Sequence, residues 1–237
     1  MEVRLWWTYG EAEPEGLAGA TVAVVDCLRA TTTIAAALAA GAVAVVPMEE
    51  EEEARAEAAR RGALLAGERH CLPPPGFDLG NSPRDFVPAA VGGREVVLWT
   101  TNGSRALAAA AKCGTEILAF ALVNAAATAD HIRRSGCRRL AVVCAGTVGR
   151  FALDDAFAAG ALLARLGTES ALEPDEPAAA ALLLHRGGQS DPRAALEASR
   201  AAANLRRAGL GEDVAFAARP DALEVVAAWR DGALRRP

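Results

Sequence analysis

Between Val22 and Thr33 the chain reads VAVVDCLRATTT, and this stretch concentrates side chains able to do chemistry. Asp26 closes a valine-rich run, Arg29 follows a two-residue loop, and Thr31, Thr32 and Thr33 open an alanine-rich segment reaching Ala40. Such a change of pattern predicts a buried strand feeding a helix. Asp26 then stands at a strand's carboxyl end, the edge where open α/β sheets bind ligands. Arg29 offers a planar, permanently charged fork for phosphate or carboxylate. The threonines bring hydroxyls and free N–H groups to a helix N-terminus, an anion site. A carboxylate, a guanidinium and an anion nest together predict a metal-plus-phosphate centre. A structural reading stands beside it, in which Thr31 or Thr32 is only a helix N-cap.

Other strings could contribute to the same centre. Residues 67–86, GERHCLPPPGFDLGNSPRDF, form a long Pro- and Gly-rich segment with Glu68, Arg69, Asp78, Asn81 and Ser82. A loop of this length in a compact domain is commonly functional, and the interleaved Leu72, Phe77, Leu79 and Phe86 argue for order. Thr100–Ser104, TTNGS, is a small polar turn between a strand and a helix and carries Thr101, Asn102 and Gly103. Cys144–Asp155, CAGTVGRFALDD, follows another strand with Gly146, Thr147, Asp154 and Asp155. The run Glu49–Glu53 reads as a solvated helix start, since consecutive residues point around the cylinder and the dipole favours acids there. His70 and Cys71 are read as loop residues, His131 and His185 as structural or solvent-facing.

Elements of regular structure are expected at Val3–Thr8, Val22–Asp26, Val43–Val46, Ala63–Ala66, Glu95–Trp99, Ile117–Ala121, Leu140–Val143 and Val214–Ala217 as strands. Helices are expected over 30–40, 49–61, 105–112, up to Arg134, over 156–166, and from the Ser190-Asp191-Pro192 cap to near Gly209. Pro47 is expected to end its strand and Glu173–Pro177 to form a turn. The alternation predicts an α/β fold, a layered αβα architecture with a mixed or parallel sheet. AVVD…AALAAGA resembles AVVC…DAFAAGALL, which hints at two similarly built halves, about 1–120 and 121–237, sharing one active site.

Composition bounds the function. The 237 residues suffice for a sizeable core. Hydrophobic residues make up 52% and aromatics 5%, so that core is Ala, Val and Leu. A net charge of −5 and a pI near 5.4 argue against a nucleic-acid partner. Lys112 is the sole lysine, a bias that lowers the weight of any one arginine as a phosphate ligand. Five cysteines without CxxC spacing fit a reducing cytoplasm and no zinc site. The uncharged run from Ala30 to Met48 approaches the roughly 20 residues of a spanning helix. It is broken at Gly41, however, and no membrane partner is expected. Met1–Tyr9 lacks a leader-like pattern. A homodimer is the default expectation for oligomeric state.

Taken together, DCLRATTT, GER (Gly67–Arg69), GFDLGNSP (Gly76–Pro83), TTNGS, CAGT (Cys144–Thr147) and the pair Asp154–Asp155 resemble the 2-phosphosulfolactate phosphatase family. Gly209–Ala217 with Asp221 is a weaker match. The resemblance implies an α/β fold and a Mg²⁺-dependent phosphatase that acts on phosphate esters of 2-hydroxy acids. Its named substrate is 2-phosphosulfolactate, on a route to coenzyme M. Cys27 stands where an aliphatic residue is expected, Asp154 where a glutamate is expected, and a cysteine expected near Ala217 is missing.

Energetics favour the metal. Enzymes accelerate phosphate monoester hydrolysis by up to ~10²¹, about 28 kcal/mol of barrier. A helix N-terminus supplies at most ~2 kcal/mol and a charge-assisted hydrogen bond roughly 1.5–3 kcal/mol. A hard cation on oxygen ligands is the natural supplement. Asp26 is therefore assigned to Mg²⁺, with Asp155, Asp154 or Glu68 as partners, and Asp26, Arg29 and Asp155 as the catalytic set. Arg29 and Thr31–Thr33 would hold phosphate. Arg69, Asp78, Asn81, Ser82, Thr101, Asn102, Gly103, Cys144, Gly146 and Thr147 would complete the pocket. Two rivals remain: a cysteine phosphatase, because Cys144 and Arg150 have the matching spacing, and a non-catalytic binder of phosphorylated acids or nucleotides. No GxGxxG follows a strand to suggest hydride transfer.

Overall fold

Valine runs without polar alternation must be covered on both faces. In the computed structural model, which describes residues 1–168 and 171–237, the run Val22–Val25 is fully buried within β2 (Thr21–Val25). The other strands are β1 (Glu2–Trp6), β3 (Ala44–Met48), β4 (Leu64–Gly67), β5 (Glu95–Trp99), β6 (Glu116–Phe120), β7 (Arg139–Cys144), β8 (Glu173–Pro174), β9 (Ala227–Arg230) and β10 (Ala233–Arg235). They make one mixed sheet in the order β4-β5-β3-β10-β9-β6-β2-β7-β1-β8. Two parallel blocks, β4-β5-β3 and β6-β2-β7-β1-β8, are joined by the antiparallel hairpin β9–β10. Three antiparallel pairings separate β6 from β3, so the blocks run in opposite directions. Twist of roughly 20–25° per strand accumulates across the sheet. That curvature lets loops of both blocks meet.

The helices are α1 (Pro14–Leu17), α2 (Ala30–Ala39), α3 (Glu51–Arg61), α4 (Pro88–Val91), α5 (Gly103–Ala111), α6 (Ala125–Arg134), α7 (Leu153–Leu166), α8 (Glu176–Gly188), α9 (Pro192–Glu197), α10 (Arg200–Arg207) and α11 (Gly211–Ala217). Val22 and Val24 pack in one core with α2 and α5, while Ala23 and Val25 pack in another with α6, α7 and α8. A third cluster sets α3 against Val46, Val97 and Trp99. The result is the expected layered α/β architecture. The two similar fragments become adjacent strand–loop–helix units, β2–α2 and β7–α7, with Val25 opposite Cys144. The sheet is continuous across residue 120, because β2 pairs with both β6 and β7.

Several expected elements are corrected. Val214–Ala217 is helical, within α11: Val214 and Ala217 are both buried, at a helical spacing. The C-terminal strands lie further on, in β9 and β10, too short and too polar at their ends to stand out. One helix over 192–209 becomes two, because the Ser199 hydroxyl accepts from the Ala202 N–H at 3.0 Å and caps a new start. Pro47 lies inside β3, whose β10 side pairs only at Val45, so a missing donor there is tolerated. Residues 173–177, expected as a turn, begin with the short β8 and then the Asp175 cap of α8.

Small residues let α7 and α8 approach closely. A Cβ on Gly160 would fall 2.0 Å from the Ala181 carbonyl oxygen. Gly160→Ala is therefore expected to destabilise by the ~1–3 kcal/mol of an overpacked contact, lowering Tm by about 2–4 °C per kcal/mol in a thermal melt.

Candidate active site

The loop after β2 is built largely from its own threonines. Thr31 donates its hydroxyl and its N–H to the Asp26 carbonyl at 2.9 and 3.0 Å. Thr32 donates to the Cys27 carbonyl at 2.7 Å and Thr33 to the Asn81 carbonyl at 2.9 Å. All three are fully buried, and none faces the cavity. Their side chains thus shape the loop instead of holding a ligand. The Leu28–Arg29 peptide within this loop is cis.

Neighbouring carboxylates fasten this loop from the other side. Asp155, in the first turn of α7, accepts from the Cys27 N–H at 2.8 Å and the Gly146 N–H at 2.9 Å, one on each oxygen. Asp154 accepts from the Leu28 N–H at 3.2 Å through Oδ2. Its Oδ1 has no hydrogen-bond partner although fully enclosed. Asp26 takes only a long contact, 3.4 Å, from the Ala30 N–H on Oδ1, leaving Oδ2 free. Gly103 makes room for that oxygen, since a Cβ there would lie 2.7 Å from Asp26 Oδ2 and 2.4 Å from the Ala30 Cβ. Gly146 adopts a φ of +70°, which turns its N–H toward Asp155.

Arg29 is held by a residue that the sequence did not single out. Its Nη1 donates to Asp213 Oδ2 at 2.7 Å, with side chains 3% and 0% exposed. Its Nη2 donates to the Cys71 carbonyl at 2.8 Å. Asp213 Oδ1 accepts the Ser82 hydroxyl at 2.7 Å, so α11 braces both the guanidinium and the GNSP segment. The weak match over Gly209–Ala217 was the available signal for Asp213. It could not single out Asp213, because an acid in the first turn of a helix is ordinary.

The loops after β4 and β5 close the opposite wall. Glu68 Oε1 accepts the N–H and hydroxyl of Thr101, at 3.0 and 2.7 Å, and Oε2 accepts the Cys71 N–H at 2.8 Å. Arg69 and Leu72 exchange backbone hydrogen bonds across His70 and Cys71, whose φ values of 54° and 72° make a two-residue turn normally given to Asn-Gly. Asn102 Oδ1 accepts the Val148 N–H at 3.2 Å.

These walls enclose a cavity of about 150 Å³, lined by Asp26, Leu28, Arg29, Glu68, His70, Cys71, Asn81, Thr100–Asn102, Gly146–Val148, Asp154, Asp155, Ala201, Asn204 and Leu205. Of the residues expected from sequence, Asp26, Arg29, Glu68, Asn81, Thr101, Asn102, Gly146, Thr147, Asp154 and Asp155 converge here. Others do not. Arg69 turns outward to Glu51 at 3.0 Å and stacks over Trp99. Asp78 is exposed and accepts the Leu65 N–H at 2.8 Å, tying its loop to β4. Ser82 serves Asp213, and Gly103 abuts Asp26 without lining the space. Cys144 is fully buried behind the wall, and Arg150 is exposed outside it. Leu28, His70, Cys71, Thr100, Val148, Ala201, Asn204 and Leu205 were not anticipated. The last three come from α10, whose approach depends on tertiary packing alone.

Electrostatics set the site apart. Burial, then Asp154 and Glu68, push the Asp26 carboxyl up to about 7. Burial pushes Asp154 up to about 6, and burial with Asp154 and Asp26 raises Asp155 well above its ordinary range. Burial and the same acids hold the Cys144 and Cys27 thiols well above normal. Raised thiols are poor nucleophiles, and Cys144 does not line the cavity, so the geometry gives the Cys144 phosphatase reading no support. Among the described residues no set of three His, Cys, Asp or Glu side chains is arranged as a metal cage.

A model of the family described as 2-phosphosulpholactate phosphatase matches residues 8–232. The chain belongs to that family. A relative named probable 2-phosphosulfolactate phosphatase from Deinococcus radiodurans is 44% identical over 82% of this chain and 81% of its own. One of the same name from Thermus thermophilus is 45% identical over 83% and 82%. One from Caldanaerobacter subterraneus subsp. tengcongensis is 34% identical over 99% and 98%. The 2-phosphosulpholactate phosphatases are phosphoric monoester hydrolases by name, and the chain is an enzyme of that class. Cys27, a departure from the pattern expected for the family, is enclosed in the core with Val25 and Phe120 and acts as an apolar residue.

Two expectations follow. Asp213→Asn leaves the Arg29 charge uncompensated in the interior, and a chemical denaturation curve should show a loss of about 3–5 kcal/mol. Asp26 and Asp154 bind protons more tightly in the folded chain than at their ordinary value of 3.8. Their contribution to stability is therefore complete at low pH and lost as pH rises from about 4 to about 7. Without divalent ions, Tm should fall between pH 5 and pH 8, and fall less in Asp26→Asn.

Proposed function

We propose that the chain is a Mg²⁺-dependent phosphatase for phosphate monoesters of small 2-hydroxy acids, with 2-phosphosulfolactate the favoured substrate. One observation carries this reading: two buried carboxylates, Asp26 and Asp154, belong to the cavity lining, and each has an oxygen with no close hydrogen bond among the described residues. Buried anionic oxygens left without donors fit a hard cation. Mg²⁺ commonly takes one or two carboxylates and fills its other positions with waters and phosphate oxygens, so a full protein cage is not required. Glu68 and Asp155 would support the site from outside the coordination shell, as their oxygens already hold Thr101, Cys71, Cys27 and Gly146. When bound, the ion would polarise the phosphoryl oxygens and lower the pKa of an attacking water.

The chain's own residues have distinct parts in this scheme. Arg29 uses one N–H on Asp213 and one on Cys71, and the guanidinium's remaining N–H groups are available to phosphoryl oxygens. Its orientation is fixed before substrate arrives, so little ordering is left to the binding step. The Asn102 amide NH₂ and the Thr147 hydroxyl offer neutral donors on the facing wall, while Thr101 is spent on Glu68. Direct attack by water, with Asp26 as ligand and not as acyl-phosphate former, is the proposed route. Rapid-quench trapping of a phospho-Asp26 would overturn it. A cytoplasmic setting accords with the free thiols, and a place on a route to coenzyme M is what the family resemblance implies.

Phosphate release from 2-phosphosulfolactate and related phospho-2-hydroxy acids should require Mg²⁺ and stop with EDTA. Asp26→Asn should lower kcat/KM by at least ~10²-fold, more than about 2.7 kcal/mol of transition-state stabilisation. Cys144→Ser should retain activity. Tight ester binding without turnover would favour a non-catalytic binder instead. Mg²⁺ should also raise Tm more at pH 8 than at pH 5, because at low pH it competes with protons on Asp26 and Asp154.

A further inference from the structure

The cavity does not end at His70. A groove of about 400 Å³ continues from it, lined by His70, Cys71, Leu72, Asn204, Arg207 and Ala208. His70, Cys71 and Asn204 line both spaces, so the groove adjoins the cavity across these residues. One wall is the two-residue turn anchored to Arg29 and Glu68 through the Cys71 peptide. The other is the last turn of α10.

Charge distribution gives this groove its meaning. The inner cavity holds four carboxylates, and its arginine is already neutralised by Asp213. Arg69 is matched by Glu51. Arg207 is different: among the described residues no carboxylate lies within ion-pair distance of it. Its Nη1 makes only a 3.3 Å contact to Asn204 Oδ1. That contact occupies the amide oxygen of Asn204 and leaves its NH₂ group as a donor. The His70 imidazole has no hydrogen-bond partner among the described residues either. Exposed Leu72 supplies an apolar patch between these polar groups.

We propose that this groove is the subsite for an acidic group that the substrate carries beyond its phosphate, a carboxylate or sulfonate, bound by Arg207 with Asn204 and His70. The assignment rests on the phosphatase reading and deepens it. A small ester with its phosphate at Asp26 and Arg29 extends its other end into the groove, where an unpaired cation and neutral donors stand. A second anion is not accommodated among the inner carboxylates, so specificity for acid-bearing esters is decided at the groove. Arg207, His70 and Asn204 are specificity-determining residues and take no part in breaking the P–O bond.

The test compares two esters in the full chain with Mg²⁺: a sulfonated phospho-2-hydroxy acid and phenyl phosphate, which has no second acid. In Arg207→Gln the ratio of their kcat/KM values should fall about tenfold or more, mainly through KM of the acid-bearing ester. His70→Gln should move the ratio the same way by less, and Arg207→Lys should restore part of it. Both residues are exposed, so these variants should fold, which a thermal melt checks. An unchanged ratio, or equal losses on both esters, overturns the subsite while leaving the phosphatase reading intact. Absence of turnover on either ester by the unaltered chain overturns that reading and the subsite with it.

Discussion

Burying several like charges beside one another is the constraint that the architecture around this site answers. Asp26, Asp154 and Asp155 are nearly inaccessible; burial raises the pKa of all three, and Asp154 adds to the rise at Asp26 and Asp155. A buried carboxylate needs donors or a counter-ion to be tolerated. The chain supplies the donors as backbone N–H groups of Cys27, Leu28 and Gly146, and that requirement dictates the shape of the loops after β2 and β7. Asp155, with one N–H on each oxygen, stitches two adjacent strand ends to the start of α7. The donors stop at Asp154 Oδ1 and Asp26 Oδ2, the two oxygens on which the proposed cation site rests.

A second buried electrostatic pair does the same work from the other flank. Asp213 and Arg29 meet across the fold with almost no exposure, and Ser82 satisfies the remaining oxygen of Asp213. Breaking such a pair is far more damaging than never having had it, since the survivor is left charged in the interior. Its value here lies in orientation. The guanidinium is fixed by a carboxylate from α11 and by a carbonyl from the strained turn after β4. Three segments distant in the chain thus agree on one position.

Architecture makes these meetings possible. Hairpin β9–β10 joins two oppositely directed parallel blocks, and the curved sheet brings the loops after β4 and β5 against the loop after β2. Gly103 shows how tight the junction is, because even one methyl group there would collide with Asp26. The alanine-rich composition serves the same end: small side chains on α2, α5 and α7 allow close layers around a polar interior.

Strand and helix patterns along most of the chain were legible because valine runs, caps and Gly/Pro breaks act locally. The strand end bearing Asp26, the acidic pair and the TTNGS turn could be placed by rule, and the combination of motifs pointed to the family. The sequence was silent on which groups are already satisfied. Thr31–Thr33 resembled phosphate ligands but spend their hydroxyls on the backbone carbonyls of Asp26, Cys27 and Asn81, Arg69 turns to Glu51, and Cys144 lies behind the wall. Asp213 and the α10 residues reached the site only through packing. Local pattern is set by backbone sterics and side-chain polarity within a few residues. Direction, burial and partnership depend on what the rest of the chain brings alongside, and those decide which charged groups remain free to meet a ligand.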